Sequence, residues 1–365
     1  MIATGIFTGY YPDTVDGVIR QIKQDGFSCV QLDVSFKDCD AAKEHLTKER
    51  AQEIRDKFRD ANLPVVAVSA YTNIVHHDLE QRKRNIAYIK GMMERALDLG
   101  CPYVASETGT YHPDSDWVWH ERNGTEEAYE ETAEILYDLV KFGREVGATF
   151  LVENYVNNVI GSIQRVQQLF DEINMPNLKL ICDPTNFFTT ENIHDVDGTL
   201  RSIFHALSDK MVIAHAKDIK PTQDTCVKRA DIDADESHVF RGAGGVELPA
   251  AGLGLLNYNL YVSLLAKHHP NIPLIVEHVD AGDIPRAKRF VDGVLKHQGV
   301  YRRFPKAQRC RGLLRHAAAP FPFGAVGPGN GQCSSLLKER GLLCHTAATF
   351  LLVRLNWKTD HVLLC

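Results

Sequence analysis

Residues 149–154 read TFLVEN: an apolar run of strand-forming residues closed by a carboxylate and an amide. Residues 273–279, PLIVEHV, repeat the pattern with a glutamate at the same place. Burying an unpaired carboxylate is costly, so a chain that twice ends an interior strand this way needs a reason for doing so. Working outward from these two runs, six more of the same kind appear: IATGIF (2–7), SCVQLDV (28–34), PVVAVSA (64–70), YVASET (103–108), LKLICD (178–183) and MVIAHA (211–216).

Between the runs lie segments with apolar residues three and four apart, the spacing of one helix face. Examples are TVDGVIRQIKQDG, TKERAQEIRDKFRDANL, NIAYIKGMMERALDLG and EEAYEETAEILYDLVKFGREVG. Several open on a capping hydroxyl and close on Gly or Asn, as in Thr14 with Gly26, Thr47 with Asn62 and Thr125 with Gly147. Strands alternating with helices call for parallel strands joined by right-handed crossovers. Eight such units in about 300 residues predict an α/β fold, a closed (β/α)8 TIM barrel. The rival is an open doubly wound sheet, but FTGYYPD after the first strand carries no GxGxxG dinucleotide fingerprint.

The predicted barrel occupies residues 1–300, with one long interruption. About 40 residues separate strand seven from helix seven, far more than an ordinary connection. Beyond residue 300 the alternation stops. Residues 301–365 hold ten Lys and Arg against two acidic residues, a net +8, so the first 300 residues carry −14 of the chain's total of −6. This segment reads as a disordered basic tail, a small extra module, or a coding accident such as a frameshift. Its apolar residues and cysteines, poor choices for a natural disordered tail, favour the last reading.

Composition narrows the class further. An apolar fraction of 44% and a charged fraction of 24% suit a globular protein. The acidic body argues against nucleic acid as partner. No run approaches the roughly 18–20 apolar residues of a membrane span, and the N-terminus lacks a basic region followed by an apolar core, so the expectation is a cytoplasmic protein without a membrane partner. Nine cysteines without a CxxC pair suggest reduced thiols.

In a barrel of this kind the C-terminal strand ends face the active site. Strands five to eight end on Glu153, Asp183, His215 and Glu277, spaced 30, 32 and 62 residues apart; the last interval is one unit plus the long connection. Each has an ordinary alternative reading: a glutamate can cap a helix, a histidine can be structural, and Asp183 before PTN can open a turn. Four such accidents at successive strand ends are hard to combine. Three carboxylates in one low-dielectric mouth repel one another, and one divalent metal ion removes the conflict. Oxygen donors with a single imidazole suit Mn²⁺, Mg²⁺ or Co²⁺, with Zn²⁺ as a further candidate.

The ordered set LVENY, ICDPTNF, IAHAKD and LIVEHV resembles the sugar phosphate isomerase/epimerase superfamily, the xylose isomerase-like barrels that include ketose 3-epimerases and inosose dehydratases. The resemblance covers residues 1 to about 298 and excludes the tail. It implies one divalent ion held by Glu153, Asp183, His215 and Glu277, and in the ketose 3-epimerase branch the two glutamates form the acid/base pair. Many relatives of this type form homo-oligomers, dimers or tetramers, and the sequence itself leaves the oligomeric state open. The expected chemistry is proton transfer at a keto sugar, sugar phosphate or related polyol through a metal-stabilised enediolate. Alternatives are loss of a β-hydroxyl, as in an inosose-type dehydratase, and a barrel that binds sugar or metal without turnover.

Further candidates surround this set. Alternation points Lys217 the same way as His215, toward a substrate oxygen, although a lid salt bridge is the competing role. Arg241 in FRGAGGVELP is a candidate clamp for phosphate or carboxylate. Glu107 ends strand four, and His112 with Trp117 is a candidate sugar wall; ion pairing and loop packing are their ordinary roles. His76 and His77 read as surface or substrate-loop residues. Asn186, a candidate substrate contact, stands where related apurinic-site endonucleases need a histidine for a three-metal cluster, which argues against DNA repair. Ketose 3-epimerases also often carry a histidine there, so the substrate stays open.

Overall fold

The computed structural model describes residues 1–222 and 246–302. All eight apolar runs are strands: β1 (Ala3–Phe7), β2 (Cys29–Leu32), β3 (Val65–Ser69), β4 (Tyr103–Ser106), β5 (Thr149–Val152), β6 (Leu178–Cys182), β7 (Met211–Ala216) and β8 (Pro273–Val276). They form a closed barrel in which every strand lies parallel to its chain neighbour, and β8 returns to β1 through the pairs Thr4↔Leu274 and Gly5↔Ile275. Closure removes every exposed sheet edge. It is the (β/α)8 TIM barrel expected from the alternation.

The helices are α1 (Val15–Asp25), α2 (Lys48–Asp60), α3 (Leu79–Arg95), α4 (Glu126–Val146), α5 (Ile163–Ile173), α6 (Val196–Leu207), α7 (Tyr258–His268) and α8 (Ile284–His297). Their ends follow the predicted capping chemistry. Thr14, Thr47 and Thr125 accept hydrogen bonds from the amides of Gly17, Arg50 and Ala128, and Gly26 and Gly147 close α1 and α4 at φ 77° and 79°. That left-handed conformation strains any residue with a side chain, so glycine is the chemically easy stop. Each helix buries one stripe: Val15, Val18, Ile19 and Ile22 on α1; Val166, Leu169, Phe170 and Ile173 on α5. Each such side chain contributes about 1.5–3 kcal/mol on burial.

The pleat divides the core into two layers. Outward residues such as Val30, Leu32, Val68, Val104, Val152, Leu180 and Val276 pack against the helices. Inward residues Ala3, Cys29, Ala67, Ala105, Leu151, Ile181, Ile213 and Ile275 fill the barrel interior. The fit there is close. A Cβ on Gly5 would meet Ile275 Cδ1 at 2.5 Å and Cys29 Sγ at 2.7 Å.

This alternation sets the site. Glu153, Asp183 and Glu277 each follow an outward residue, Val152, Cys182 and Val276, and His215 lies between Ala214 and Ala216, so all four turn inward at the C-terminal end. The described ends of the long β7–α7 connection leave and return at the same end as an antiparallel ribbon, Lys220↔Glu247 and Pro221↔Val246, followed by a bridge between Lys217 and Ala250. Arg241 lies outside the described residues, as does the tail from 303. Paired backbone continues to Arg302, whose amide donates to Ile2 O at 2.8 Å. Among the described residues no helix is long and apolar enough to cross a membrane, and the cysteines, 29, 39, 101 and 182, are free and buried.

Candidate functional site

Glu153, Asp183, His215 and Glu277 converge on one point: one ligand atom from each lies within 4.8 Å of the others, and all four residues are buried. His215 Nδ1 sits 3.2 Å from Glu153 Oε1, 3.2 Å from Glu277 Oε2 and 3.5 Å from Asp183 Oδ2. Asp183 plays both parts read from its sequence. Its Oδ1 accepts from the amide and hydroxyl of Thr185 at 3.0 and 2.6 Å, capping the turn Pro184–Phe187, while Oδ2 is turned to the cluster.

The fifth member is Lys217. Its ammonium lies 2.7 Å from Asp183 Oδ2, 3.3 Å from Glu277 Oε2 and 3.7 Å from Glu153 Oε1. Burial works against charge on Asp183 and Glu277, yet the positive neighbours prevail: Lys217 and then His215 hold Asp183 well below the usual carboxylate range, and His215 and then Lys217 bring Glu277 down to about 2. Burial likewise works against charge on the bases. Glu277 and Glu153 nevertheless raise His215, and Asp183 with the two glutamates raises Lys217.

One ammonium does not neutralise three carboxylates. Asp183 Oδ2, buried and 2.7 Å from Lys217 Nζ, receives no well-directed hydrogen bond, which leaves it available to a cation. Three oxygens and one imidazole nitrogen, buried and mutually close, fit a divalent cation of the Mn²⁺, Mg²⁺, Co²⁺ or Zn²⁺ group.

The family model for xylose isomerase-like TIM barrels matches residues 19–296. The chain belongs to that family. No curated protein matches the sequence significantly. Among solved structures, a xylose isomerase domain protein from Planctomyces limnophilus is 19% identical, with TM-score 0.57 over 81% of this chain and 97% of its own. A 3-keto-D-glucoside 4-epimerase from E. coli is 14% identical, with TM-score 0.55 over 80% and 99%. A xylose isomerase-like barrel protein from Mycobacterium smegmatis, in complex with magnesium, is 15% identical, with TM-score 0.59 over 81% and 96%. At these identities the likeness is one of fold.

In this xylose isomerase-like barrel Glu153 and His215 are held by neighbouring side chains: Asn186, which the sequence offers as a substrate contact, and Tyr71 and Gln31, which are not among the sequence candidates. Tyr71 donates its hydroxyl hydrogen to Glu153 Oε2, and Asn186 Nδ2 donates to Glu153 Oε1 at 2.9 Å. Asn186 therefore acts on the glutamate directly. Burial, then the charge of Glu153, pushes Tyr71 well above the ordinary phenol range, so it remains a hydroxyl. Gln31 Oε1 faces His215 Nε2 at 2.8 Å. Beside Glu277, the His278 amide donates to Tyr10 Oη at 2.7 Å, and His278 adopts φ 48°. Gln31 and Tyr71 shared one legible signal: Gln31 lies between outward Val30 and Leu32, and Tyr71 follows outward Ala70, so both are polar residues at inward positions near strand ends.

The remaining candidates separate. Tyr71 also lines a polar cleft of about 340 Å³ with Thr72, Asn73, His76, Gln81 and Asp116, which places His76 at the mouth. Glu107 and Trp117 border a smaller adjoining cavity of about 40 Å³ that Tyr71 shares. His77 stacks on His76 with ring centroids 4.5 Å apart. His112 is engaged in its own loop, where Nδ1 accepts from the Asp114 amide at 3.2 Å. Lys217 is the candidate whose surroundings differ most from expectation. It points inward as alternation requires, but its ammonium sits among the carboxylates themselves.

Proposed function

We propose that the chain is a divalent-metal-dependent isomerase or epimerase of a keto sugar, a sugar phosphate or a related polyol, with Glu153 and Glu277 moving the substrate proton. The observation that carries this reading is the convergence of Glu153, Asp183, His215 and Glu277 on one buried point at the C-terminal mouth. These four would hold the ion. When bound, a divalent ion supplies positive charge that polarises a carbonyl and acidifies the neighbouring C–H.

The two glutamates differ in a way that suits two roles. Tyr71 and Asn186 hold both oxygens of Glu153, which keeps its carboxylate in one orientation. Glu277 is the more open, its side chain 11% exposed against 2% for Glu153. Removal of a proton by one glutamate and return by the other on the opposite face inverts a carbon; return by the same group to the adjoining carbon exchanges ketose and aldose. The sugar epimerase and the magnesium-bound barrel among the structural relatives support this class.

The test is solvent exchange. The protein is incubated with Mn²⁺ and a panel of keto sugars in heavy water, and deuterium entering a C–H position is read by NMR. Incorporation at one carbon, lost in Glu153→Gln and Glu277→Gln, is expected. Tight sugar binding without exchange would instead make the barrel a binding protein. A second reading, loss of water, is favoured by one contact: the Lys217 ammonium, beside Asp183 and Glu277, supplies positive charge that would stabilise a departing hydroxyl. Ultraviolet absorption of a conjugated product separates it from epimerisation.

A further inference from the structure

Gln31 lies on β2 at the far side of the barrel from Asp183, fully buried, beside a register shift in the β2–β3 pairing. Its contacts form a chain whose hydrogens can be followed. Tyr71 has one hydroxyl hydrogen, and Glu153 Oε2, a pure acceptor, takes it. The Tyr71 oxygen is then an acceptor for Gln31 Nε2 at 3.3 Å, and Ser69 Oγ is a second at 3.2 Å. With both amide hydrogens so used, Gln31 Oε1 accepts, and His215 Nε2 at 2.8 Å donates. The opposite amide orientation would turn an amide donor on His215 Nε2 and draw the Tyr71 hydrogen away from Glu153.

We propose that Gln31 is the positioning residue of the centre: it fixes His215 with hydrogen on Nε2, so that Nδ1 is the nitrogen presented to a divalent ion, and through Tyr71 it couples that choice to the orientation of Glu153. The inference rests on the metal-dependent reading of the site. Nδ1 is the atom 3.2–3.5 Å from the three carboxylates, so a ring turned to offer Nε2 would not complete the same donor set. Partners that orient a ligating histidine commonly govern 10- to 100-fold in metal affinity.

The experiment uses the full chain with ¹⁵N-labelled histidine, metal-free and loaded with Zn²⁺ as a diamagnetic probe. A slowly exchanging Nε2–H signal from His215 is expected in both states, with the Zn²⁺ shift on Nδ1. Gln31→Met, which keeps the side-chain shape, should abolish the slow signal and weaken Zn²⁺ binding about 10- to 100-fold. Gln31→Glu restores an acceptor and should recover the signal. Circular dichroism confirms that both variants fold. An unchanged Nε2–H signal and an affinity within twofold in Gln31→Met would overturn the proposal. Absence of Zn²⁺ binding by the unaltered protein would overturn the metal reading instead, while the metal-free signal still decides whether Gln31 orients His215.

Discussion

Lys217 Nζ lies 2.7 Å from Asp183 Oδ2, inside a barrel mouth where Asp183 is wholly buried and Lys217 is 3% exposed. A buried ion pair gains little over an apolar pair of the same shape, but removing one partner leaves the other charge stranded. Here the stranded group would be three carboxylates facing one imidazole. The ammonium is thus a resident cation in a site whose donors also suit an external one.

Lys217→Met should therefore lower the stability of the chelator-treated protein by about 3–5 kcal/mol, the usual effect of breaking a buried pair. Urea unfolding followed by circular dichroism measures it. Addition of Mn²⁺ should recover more stability in the variant than in the unaltered protein, because the ion then meets uncompensated carboxylates. Equal recovery in both would mean that the lysine and the ion do not share these partners.

Asp183→Asn and Glu153→Gln each remove one negative donor from the cluster. Elemental analysis after dialysis should find the bound divalent ion in the unaltered chain and little in either variant. A ligand at one hundred times its Kd adds about 2.7 kcal/mol to the folded state, so thermal midpoints should rise with Mn²⁺ in the unaltered protein only. Equal metal content in all three proteins would place the ion elsewhere.

Acid should unfold the metal-free protein through this cluster. Asp183 and Glu277 are depressed from ordinary values of 3.8 and 4.5, Glu277 to about 2, so their contribution is complete above those ordinary values and is lost as pH falls toward the folded ones. His215 is raised from 6.5, so its contribution is complete below 6.5 and declines as pH rises through the elevated value. The urea midpoint in chelator should consequently be highest between about pH 4.5 and 6.5. Binding a metal ion requires unprotonated imidazole, so loading should move the optimum upward.

Tyr71→Phe removes the hydroxyl donor of Glu153 Oε2 while leaving the ring in place. A hydrogen bond to a charged group contributes about 1.5–3 kcal/mol, so exchange of the substrate C–H should slow roughly 10- to 100-fold. KM should change little if the tyrosine serves the glutamate rather than the sugar. A large KM rise with an unchanged rate constant would assign it to the polar cleft instead.

The described chain end is paired: Tyr301 bridges Ile2, and its hydroxyl donates to Asp292 Oδ2 at 3.2 Å. A chain ending after Arg302 should keep the unfolding midpoint and metal binding of the full chain. One ending after Gln298 loses that hydroxyl and the backbone pairing with Ile2, and should be less stable by about 1–3 kcal/mol in urea unfolding.

Much of this was legible in order along the chain. The eight runs such as MVIAHA became strands because pleat and helix periods are local properties that a closed parallel sheet preserves. Glu153, Asp183, His215 and Glu277 were visible because each ends its own strand, and a strand end needs only its neighbours to be recognised. Gln31 and Tyr71 were missed because their meaning lies in partners on other strands: Gln31 reaches His215 across 184 residues, and Tyr71 reaches Glu153 across 82.

The amino-acid sequence by itself determined the barrel and which four side chains its mouth would gather, since alternation and capping act over a few residues at a time. Tertiary structure alone decided that Lys217 would stand among the carboxylates rather than apart from them, and that the oxygen of Gln31 would choose the nitrogen His215 presents. Those outcomes depend on the barrel's closure and on which atoms it brings within about 3 Å, and a directed hydrogen bond is set by that distance and angle, not by position in the chain.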